Sequence, residues 1–333
     1  MKQPYLLFLG TETDTALAKT SAGIAYWRPE ICKGQYRMTE NTVDLGLPDM
    51  DIDGAVAAGV KTIIIGIAPC GGSIADDWVP IILEALEKGI DIAAGLHHRL
   101  NDHPEISALA KEKGRALFDV RQPTEIFDVA SGRKRSGKRL LTVGSDCAVG
   151  KMYASLALEK EMKKRGFNAD FRATGQTGIF ITGQGVSVDA VVSDFVSGAT
   201  ETLSPDNDEN HWDLIEGQGS LYHPAYAGVT VGLVHGSQPD VMVLCHDVSR
   251  SHIDEYPDFP IPELGSCMEG YLTIARLTNP NTIFAGICIN SSKLSEEEAM
   301  DYMRVTSEKY GLPCCDPVRT GVAAIIDRLE KIS

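Results

Sequence analysis

The sequence predicts an α/β protein of two domains, each built on a parallel β-sheet covered by helices. Its 333 residues correspond to about two domains at roughly 150 residues each. Short, almost continuously apolar runs alternate with helical patterns along the chain, which is typical of buried parallel strands joined by helices. Many of the 32 glycines fall in short clusters after these runs, where strand-to-helix loops need them.

The composition excludes several classes of protein. Hydrophobic residues make up 43% and charged residues 23%, which is typical of a folded domain and not of a disordered chain. A net charge of −15 disfavours binding to nucleic acid or to an anionic membrane, and we expect neither partner. No apolar run approaches the roughly 20 residues that span a bilayer, and the first residues lack the features of a signal peptide.

The eight cysteines are scattered and form no C-x-x-C pair. This pattern argues against a disulfide framework or a structural zinc site and favours a reducing, cytoplasmic environment. We expect a cytoplasmic homo-oligomer that requires no metal.

The first domain is predicted to span residues 1–130. Its apolar runs predict strands, and the stretches with helical spacing of apolar residues between them predict helices. The predicted strands are 5–9, 61–67, 90–94 and 116–120, and the predicted helices lie near 15–26, 53–58, 78–88 and 105–113. Residues 131–138 are polar and glycine-punctuated, so we interpret them as a linker; a basic phosphate-binding patch is the alternative.

The second domain is predicted to span residues 139–333, because apolar runs alternate with helical patterns there as well. The predicted strands are 139–143, 169–173, 212–215, 241–245 and 282–289, and the predicted helices lie near 151–165, 189–200, 265–275, 295–309 and 319–331.

A glycine-bounded loop between a strand and a helix carries the strongest functional signal. Residues 144–151 read Gly-Ser-Asp-Cys-Ala-Val-Gly-Lys, and such a loop cradles phosphate oxygens with backbone N–H groups, a helix N-terminus and a lysine. It resembles the phosphate loop of dethiobiotin synthetase, although Met152 replaces the hydroxyl residue that normally binds Mg²⁺; a generic glycine turn is the alternative. The predicted cofactor-contacting residues are Gly144, Ser145, Cys147, Ala148, Val149, Gly150, Lys151 and Met152.

Two further polar residues follow predicted strands of this domain. Glu216 begins a Glu-Gly-Gln-Gly segment, and because parallel strands end at one edge of a sheet, we expect it to face Lys151. Asn290 ends another apolar run and matches the position where the synthetase class reads adenine. An ordinary turn residue is the alternative at both positions.

The first domain has glycine loops of its own after its predicted strands. They include Gly71, Gly72 and the Gly-Leu-His-His segment ending in His97 and His98. None matches G-x-G-x-x-G, so the nicotinamide-binding signal is weak, and neighbouring histidines on a strand point apart and do not share a metal. The loops predict a small-ligand site at one sheet edge.

Segments along the whole chain resemble one two-domain family, that of the D-glutamate N-acetyltransferases. The segments are 45–48, 67–72, 95–97, 119–121, 144–151, 173–178, 216–219 and 316–319. The resemblance implies a Rossmann-like N-terminal domain and a dethiobiotin-synthetase-like P-loop C-terminal domain. It also implies the transfer of an acetyl group from acetyl-CoA to D-glutamate in a pathway that breaks down D-glutamate.

The residues suit acetyl transfer better than phosphoryl transfer. A phosphate cradle can hold coenzyme A without hydrolysing a phosphate bond. Acetyl transfer therefore does not need the Mg²⁺-binding hydroxyl that Met152 replaces. Asp146 or Glu216 is expected to take the amine proton, and Lys151 or backbone N–H groups to stabilise the oxyanion. The residues proposed to bind D-glutamate are Lys19, Arg28, Gly71, Gly72, His97, Arg121, Gln176 and Thr177.

Three other classes stay open at this point. They are an ATP- and Mg²⁺-dependent ligase or kinase, a nicotinamide-dependent oxidoreductase and a non-catalytic nucleotide sensor. Cys147 lies near a helix N-terminus and could accept the acetyl group, but we expect direct transfer to the amine.

Overall fold

A computed structural model describes residues 1–15, 17–67, 72–123 and 125–332. The chain forms two compact units, Met1–Thr124 with Gly175–Ala190, and Glu125–Thr174 with Val191–Ser333. Each unit is an α/β structure on its own parallel sheet, as the sequence predicts. Among the described residues, no helix combines the length and apolar character that a membrane crossing needs.

The first unit has a five-stranded parallel sheet in the order β2-β1-β3-β4-β5. Its strands are β1 Tyr5–Gly10, β2 Cys32–Arg37, β3 Thr62–Ile65, β4 Asp91–Ala94 and β5 Leu117–Asp119. Its helices are α1 Lys19–Trp27, α2 Ile52–Ala57, α3 Val79–Glu87, α4 Pro104–Lys113 and α6 Gln176–Thr182. Strand β2 lies on one side of β1 and strands β3 to β5 lie on the other, and in open parallel sheets ligands typically bind at the carboxyl ends of the strands where the strand order changes side in this way.

The second unit has a six-stranded parallel sheet in the order β13-β12-β9-β6-β8-β7. Its strands are β6 Lys138–Gly144, β7 Ala169–Arg172, β8 Trp212–Ile215, β9 Val241–Asp247, β12 Ile283–Asn290 and β13 Cys314–Cys315, and a separate antiparallel hairpin consists of β10 His252–Ile253 and β11 Tyr256–Pro260. Its helices are α5 Lys151–Lys164, α7 Val196–Leu203, α8 Ala227–Ser237, α9 Leu264–Ala275, α10 Glu296–Tyr310 and α11 Ala323–Ile332. Here the strand order changes side between β6 and β9, next to the glycine-bounded loop that follows β6.

The domain boundaries of the structure differ from the predicted ones. Residues 175–190, predicted in the second domain, pack in the first unit. Residues 131–138 are not a free linker, because Arg135 is only 5% exposed and donates hydrogen bonds to the carbonyls of Glu201 and Gly236. A buried guanidinium needs such acceptors, and they attach the segment to the second unit.

Two of the elements missing from the prediction show why local pattern was insufficient. Strand β2 reads Cys-Lys-Gly-Gln-Tyr-Arg and has no apolar run, yet it pairs with β1 along its length. Helix α8 contains three glycines, which weaken a helix on their own. One of them, Gly236, lies so close to α7 that a Cβ atom there would be 2.3 Å from the Ser197 carbonyl oxygen. Helix α8 therefore depends on its close packing against α7, which requires glycine at this position.

Candidate functional site

The predicted strand–loop–helix is present in the second unit. Strand β6 ends at Gly144 and helix α5 begins at Lys151. Within the loop, Ala148 and Gly150 have positive φ angles of 53° and 96°, which turn the backbone sharply towards the helix N-terminus. The free N–H groups and partial positive charge of that terminus favour a bound anion.

Lys151 is a buried cation beside this loop. Its side chain is 7% exposed, and its Nζ donates a 2.9 Å hydrogen bond to the Asp146 carbonyl oxygen. Burial lowers the pKa of Lys151 from its ordinary value. The carboxylates of Asp146 and Glu216 oppose this effect electrostatically, and a bound anion would act in the same direction.

Asp146 is held by the protein on both carboxylate oxygens. Its Oδ1 accepts from the Cys147 N–H at 2.6 Å, and its Oδ2 accepts from Arg250 and from the Asp254 N–H, each at 2.9 Å. The side chain is fully buried. This carboxylate anchors the phosphate loop to Arg250, which precedes the hairpin, and to the turn between β10 and β11; such anchoring does not suit the proton-accepting role expected of it.

Glu216 follows β8 and lies near Lys151, as expected from the parallel sheet. Its Oε2 accepts a 2.9 Å hydrogen bond from the Thr174 N–H. A Cβ atom on the next residue, Gly217, would lie 2.9 Å from Lys151 Cδ. Glu216 contributes to the electrostatic field that raises the pKa of Lys151 against the larger effect of burial. Glu216 therefore lies beside the lysine of the phosphate loop.

Ser145 is bound through its side chain to the end of the neighbouring strand. Its Oγ lies 2.8 Å from Nδ1 of His246, and both residues are buried. Burial lowers the pKa of His246, which favours the neutral ring that can share this hydrogen bond. The pair holds the start of the loop against β9. Nothing in the sequence pattern singled out His246.

A cavity of about 360 Å³ adjoins the other end of the loop. Its walls include Ala148 and Gly150 of the loop, Asn290 at the end of β12, and the segment from Pro317 to Arg319. The Asn290 amide donates to Asp247 Oδ2 at 3.2 Å, which fixes its orientation. Residues 317–319 were quoted for the family resemblance but not assigned to a site; strand β13, which precedes them, was not predicted, so the quoted motif was the available signal.

Several residues predicted to bind the substrate meet at the carboxyl edge of the first unit's sheet. Gln176 lies directly over the β4 end, since a Cβ atom on Gly95 would be 2.0 Å from its Oε1. Thr177 Oγ1 is 3.2 Å from Thr20 Oγ1, beside exposed Lys19.

Some of the remaining predicted residues also lie at this edge, and others do not. The carbonyl oxygen of Gly72 accepts a hydrogen bond from the N–H of His98, the residue after His97. The guanidinium of Arg121 lies 3.5 Å from the carboxylate of Asp189. Arg28 does not lie near the other predicted residues. It follows the C-terminal end of α1, whereas Lys19 begins that helix. Because α1 has nine residues, the two residues are separated by about 13 Å along the helix axis. Gly71 lies outside the described residues.

Comparisons with known proteins decide the family. Two family descriptions match the chain: a Rossmann-like domain of unknown function, DUF1611_N, over residues 35–123, and the DUF1611_C P-loop domain over residues 128–326. The chain belongs to the DUF1611 family.

Three relatives extend this DUF1611 assignment over the full chain. A protein named D-glutamate N-acetyltransferase from Tritonibacter scottomollicae is 47% identical, with 100% of both chains covered. A protein of the same name from a Pseudoalteromonas species is 46% identical, with 99% of both covered. The crystal structure of a DUF1611 family protein from Anabaena variabilis has a TM-score of 0.87 at 34% identity, covering 99% of this chain and 100% of that one. The predicted family and fold class are confirmed.

One cluster in this DUF1611 chain was missed by sequence reasoning. A ring nitrogen of His223, Sγ of Cys147 and a carboxylate oxygen of Asp146 all lie within 4.8 Å of one another. This is a group of three side chains of the types that hold metals. However, the Asp146 oxygens already accept hydrogen bonds from Arg250 and two backbone N–H groups, and a metal ion would be repelled by the adjacent guanidinium.

Proposed function

We propose that this chain is a D-glutamate N-acetyltransferase, which transfers the acetyl group of acetyl-CoA to the amine of D-glutamate. The observation that carries the proposal is the phosphate loop with buried Lys151, continuous with the cavity beside Asn290. Coenzyme A combines an adenine with a pyrophosphate, and we assign the adenine to the cavity and the pyrophosphate to the loop. The full-length relatives named for this activity support the same choice.

The reaction needs no phosphoryl transfer, which suits the methionine at position 152. The amine nitrogen bonds to the thioester carbonyl carbon, and the carbon–sulfur bond of the tetrahedral intermediate then breaks. Coenzyme A leaves as a thiolate that takes up a proton, and N-acetyl-D-glutamate is the other product. We assign the removal of the amine proton to Glu216 and keep Asp146 as an anchor of the loop.

The first unit supplies the proposed contacts to D-glutamate. Lys19 and Arg121 offer cationic groups for the two carboxylates, and Gln176 and Thr177 offer hydrogen-bonding groups at the same sheet edge. Charge-assisted hydrogen bonds of this kind suit a dicarboxylate. The proposal includes a cytoplasmic, homo-oligomeric protein that works without a metal; free thiols at all seven described cysteines are consistent with that compartment.

The test uses the purified full chain in two separate reactions. With acetyl-CoA and D-glutamate, we expect free thiol release, with less release when L-glutamate replaces the D-isomer. With ATP and Mg²⁺, we expect no ADP. ADP release without thiol release would instead identify a ligase or kinase and overturn the proposal.

A further inference from the structure

Two different groups of side chains border the phosphate loop. The cavity that suits an adenine is lined by residues 148–150 of the loop. His223 does not line this cavity, and its ring lies within 4.8 Å of Cys147 and Asp146, which precede those residues in the loop. His223 is therefore close to the loop that would hold the pyrophosphate of a ligand whose adenine occupies the cavity.

The His223 ring is held in one orientation as a hydrogen-bond donor. It is 3% exposed, and its Nδ1 accepts a 3.2 Å hydrogen bond from the Ala225 N–H. Because Nδ1 is an acceptor, the neutral ring carries its hydrogen on Nε2. Two aromatic rings restrain it further: the ring centroid of Tyr226 lies at 4.6 Å and that of Tyr256 at 5.0 Å.

This donor geometry does not favour a cysteine–histidine nucleophile. A ring that holds its hydrogen on Nε2 and accepts at Nδ1 has no free nitrogen to take the thiol proton of Cys147. Burial also raises the pKa of the Cys147 thiol, and the opposing effect of Lys151 is smaller. His223 is therefore better suited to donate to a ligand oxygen than to activate the cysteine.

The aromatic groups around His223 continue outwards to solvent. Tyr226 is 51% exposed and Phe259 is 48% exposed, and the rings of Tyr256 and Phe259 lie 6.1 Å apart. Exposed aromatic surface beside a phosphate site suits a chain of methylene and amide groups, since such rings bury apolar area and tolerate polar neighbours.

We propose that His223, with the ring of Tyr226, recognises the pantetheine side of the acyl donor and makes this phosphate loop selective for coenzyme A over nucleotides. His223 donates from Nε2 to an oxygen of the arm beyond the pyrophosphate, and Tyr226 packs against the arm. This inference rests on the proposed function, because it requires an acyl-CoA in the loop.

The test compares two ligands by calorimetry on the full chain. The ADP used in these titrations carries a 3′-phosphate on its ribose, as coenzyme A does, so the two ligands differ only in the pantetheine arm. In His223→Phe, which keeps an aromatic ring but removes the donor, we expect at least tenfold weaker coenzyme A binding and less than a twofold change for ADP. In His223→Gln, which restores an N–H donor, we expect part of the lost affinity to return.

Two controls keep the result interpretable. His252→Phe changes an exposed histidine of the hairpin and should leave both affinities unchanged. Tyr226→Ala removes a half-exposed ring and should weaken the binding of coenzyme A but not that of ADP. This variant keeps the inference testable if changes at the buried histidine impair folding. Thermal melts check folding in every variant.

The outcomes separate this inference from the function on which it rests. Equal losses for both ligands in His223→Phe, or a loss for neither, would overturn the role of His223 while leaving coenzyme A binding intact. Failure of the unaltered protein to bind coenzyme A would overturn the proposed function itself. Tight binding of Zn²⁺ alone, lost in His223→Phe, would assign the ring to a metal and also overturn the inference.

Discussion

Replacing Lys151 with alanine should remove most of the affinity for coenzyme A. Lys151 is 7% exposed and its Nζ donates to a carbonyl oxygen of its own loop. The buried charge is thus available to a phosphate at a position where water screens it little. Truncating one partner of such a buried charged contact costs about 2–5 kcal/mol.

This free energy corresponds to a roughly 30-fold to 4,000-fold rise in the dissociation constant, at about 1.4 kcal/mol per factor of ten. Calorimetric titration of coenzyme A into each protein measures it. Lys160→Ala is the matched control, because Lys160 lies on the same helix and is exposed. The control should bind like the unaltered protein, with a difference below twofold.

D-Glutamate affinity should change little in Lys151→Ala, since the proposed amino-acid contacts lie in the other unit. A correctly folded Lys151→Ala protein with unchanged coenzyme A affinity would refute the assignment of the loop to phosphate. An equal loss for coenzyme A and D-glutamate would show a structural role for the lysine.

Four further outcomes are expected. Thiol release should survive EDTA, because Met152 supplies no metal ligand and acetyl transfer needs no phosphoryl chemistry; loss on chelation with recovery on adding Mg²⁺ would favour the ligase or kinase class. Cys147→Ser should keep most of its turnover, and mass spectrometry after mixing with acetyl-CoA alone should find no acetyl group on the peptide of Cys147; an acetylated peptide discharged by D-glutamate would establish a covalent intermediate. Glu216→Gln should lower kcat at least tenfold, at the low end of the roughly 10²–10⁴ expected of a general base, with coenzyme A affinity retained; an unchanged kcat would remove Glu216 from this role. Coenzyme A affinity should fall as pH rises through the lowered pKa of Lys151, because the anion prefers the protonated amine, and a Lys151→Ala protein should lack this decline; a decline that persists in the variant would place the titrating group elsewhere.

Much of the fold and part of the site could be predicted from local pattern. Strands such as β8 and the phosphate loop before α5 were found at their observed positions, because a buried parallel strand requires an apolar run and a phosphate loop requires glycines beside a lysine. The position of Glu216 near Lys151 also followed, since parallel strands end at one edge. These inferences need only neighbours in sequence or a shared sheet edge.

Other features depended on packing between distant segments. Strand β2 has no apolar run and is defined by its pairing with β1. Residues 175–190 belong to the first unit through their contacts, although they follow β7 of the second. Arg28 carries the charge expected of a carboxylate ligand, but the length of α1 places it at the wrong end of the helix.

The sequence by itself determined the two α/β units, the phosphate loop and the family to which the chain belongs. The tertiary structure alone decided which partners hold the polar groups of the loop. Arg250 and two backbone N–H groups hold the Asp146 carboxylate, and two of these three donors lie more than 100 positions further along the chain. His223 stands 76 positions after Cys147 in the chain and meets it only in the folded protein. A carboxylate's role depends on its hydrogen-bond partners, and a histidine's on which ring nitrogen is occupied; both are set by residues far apart in sequence.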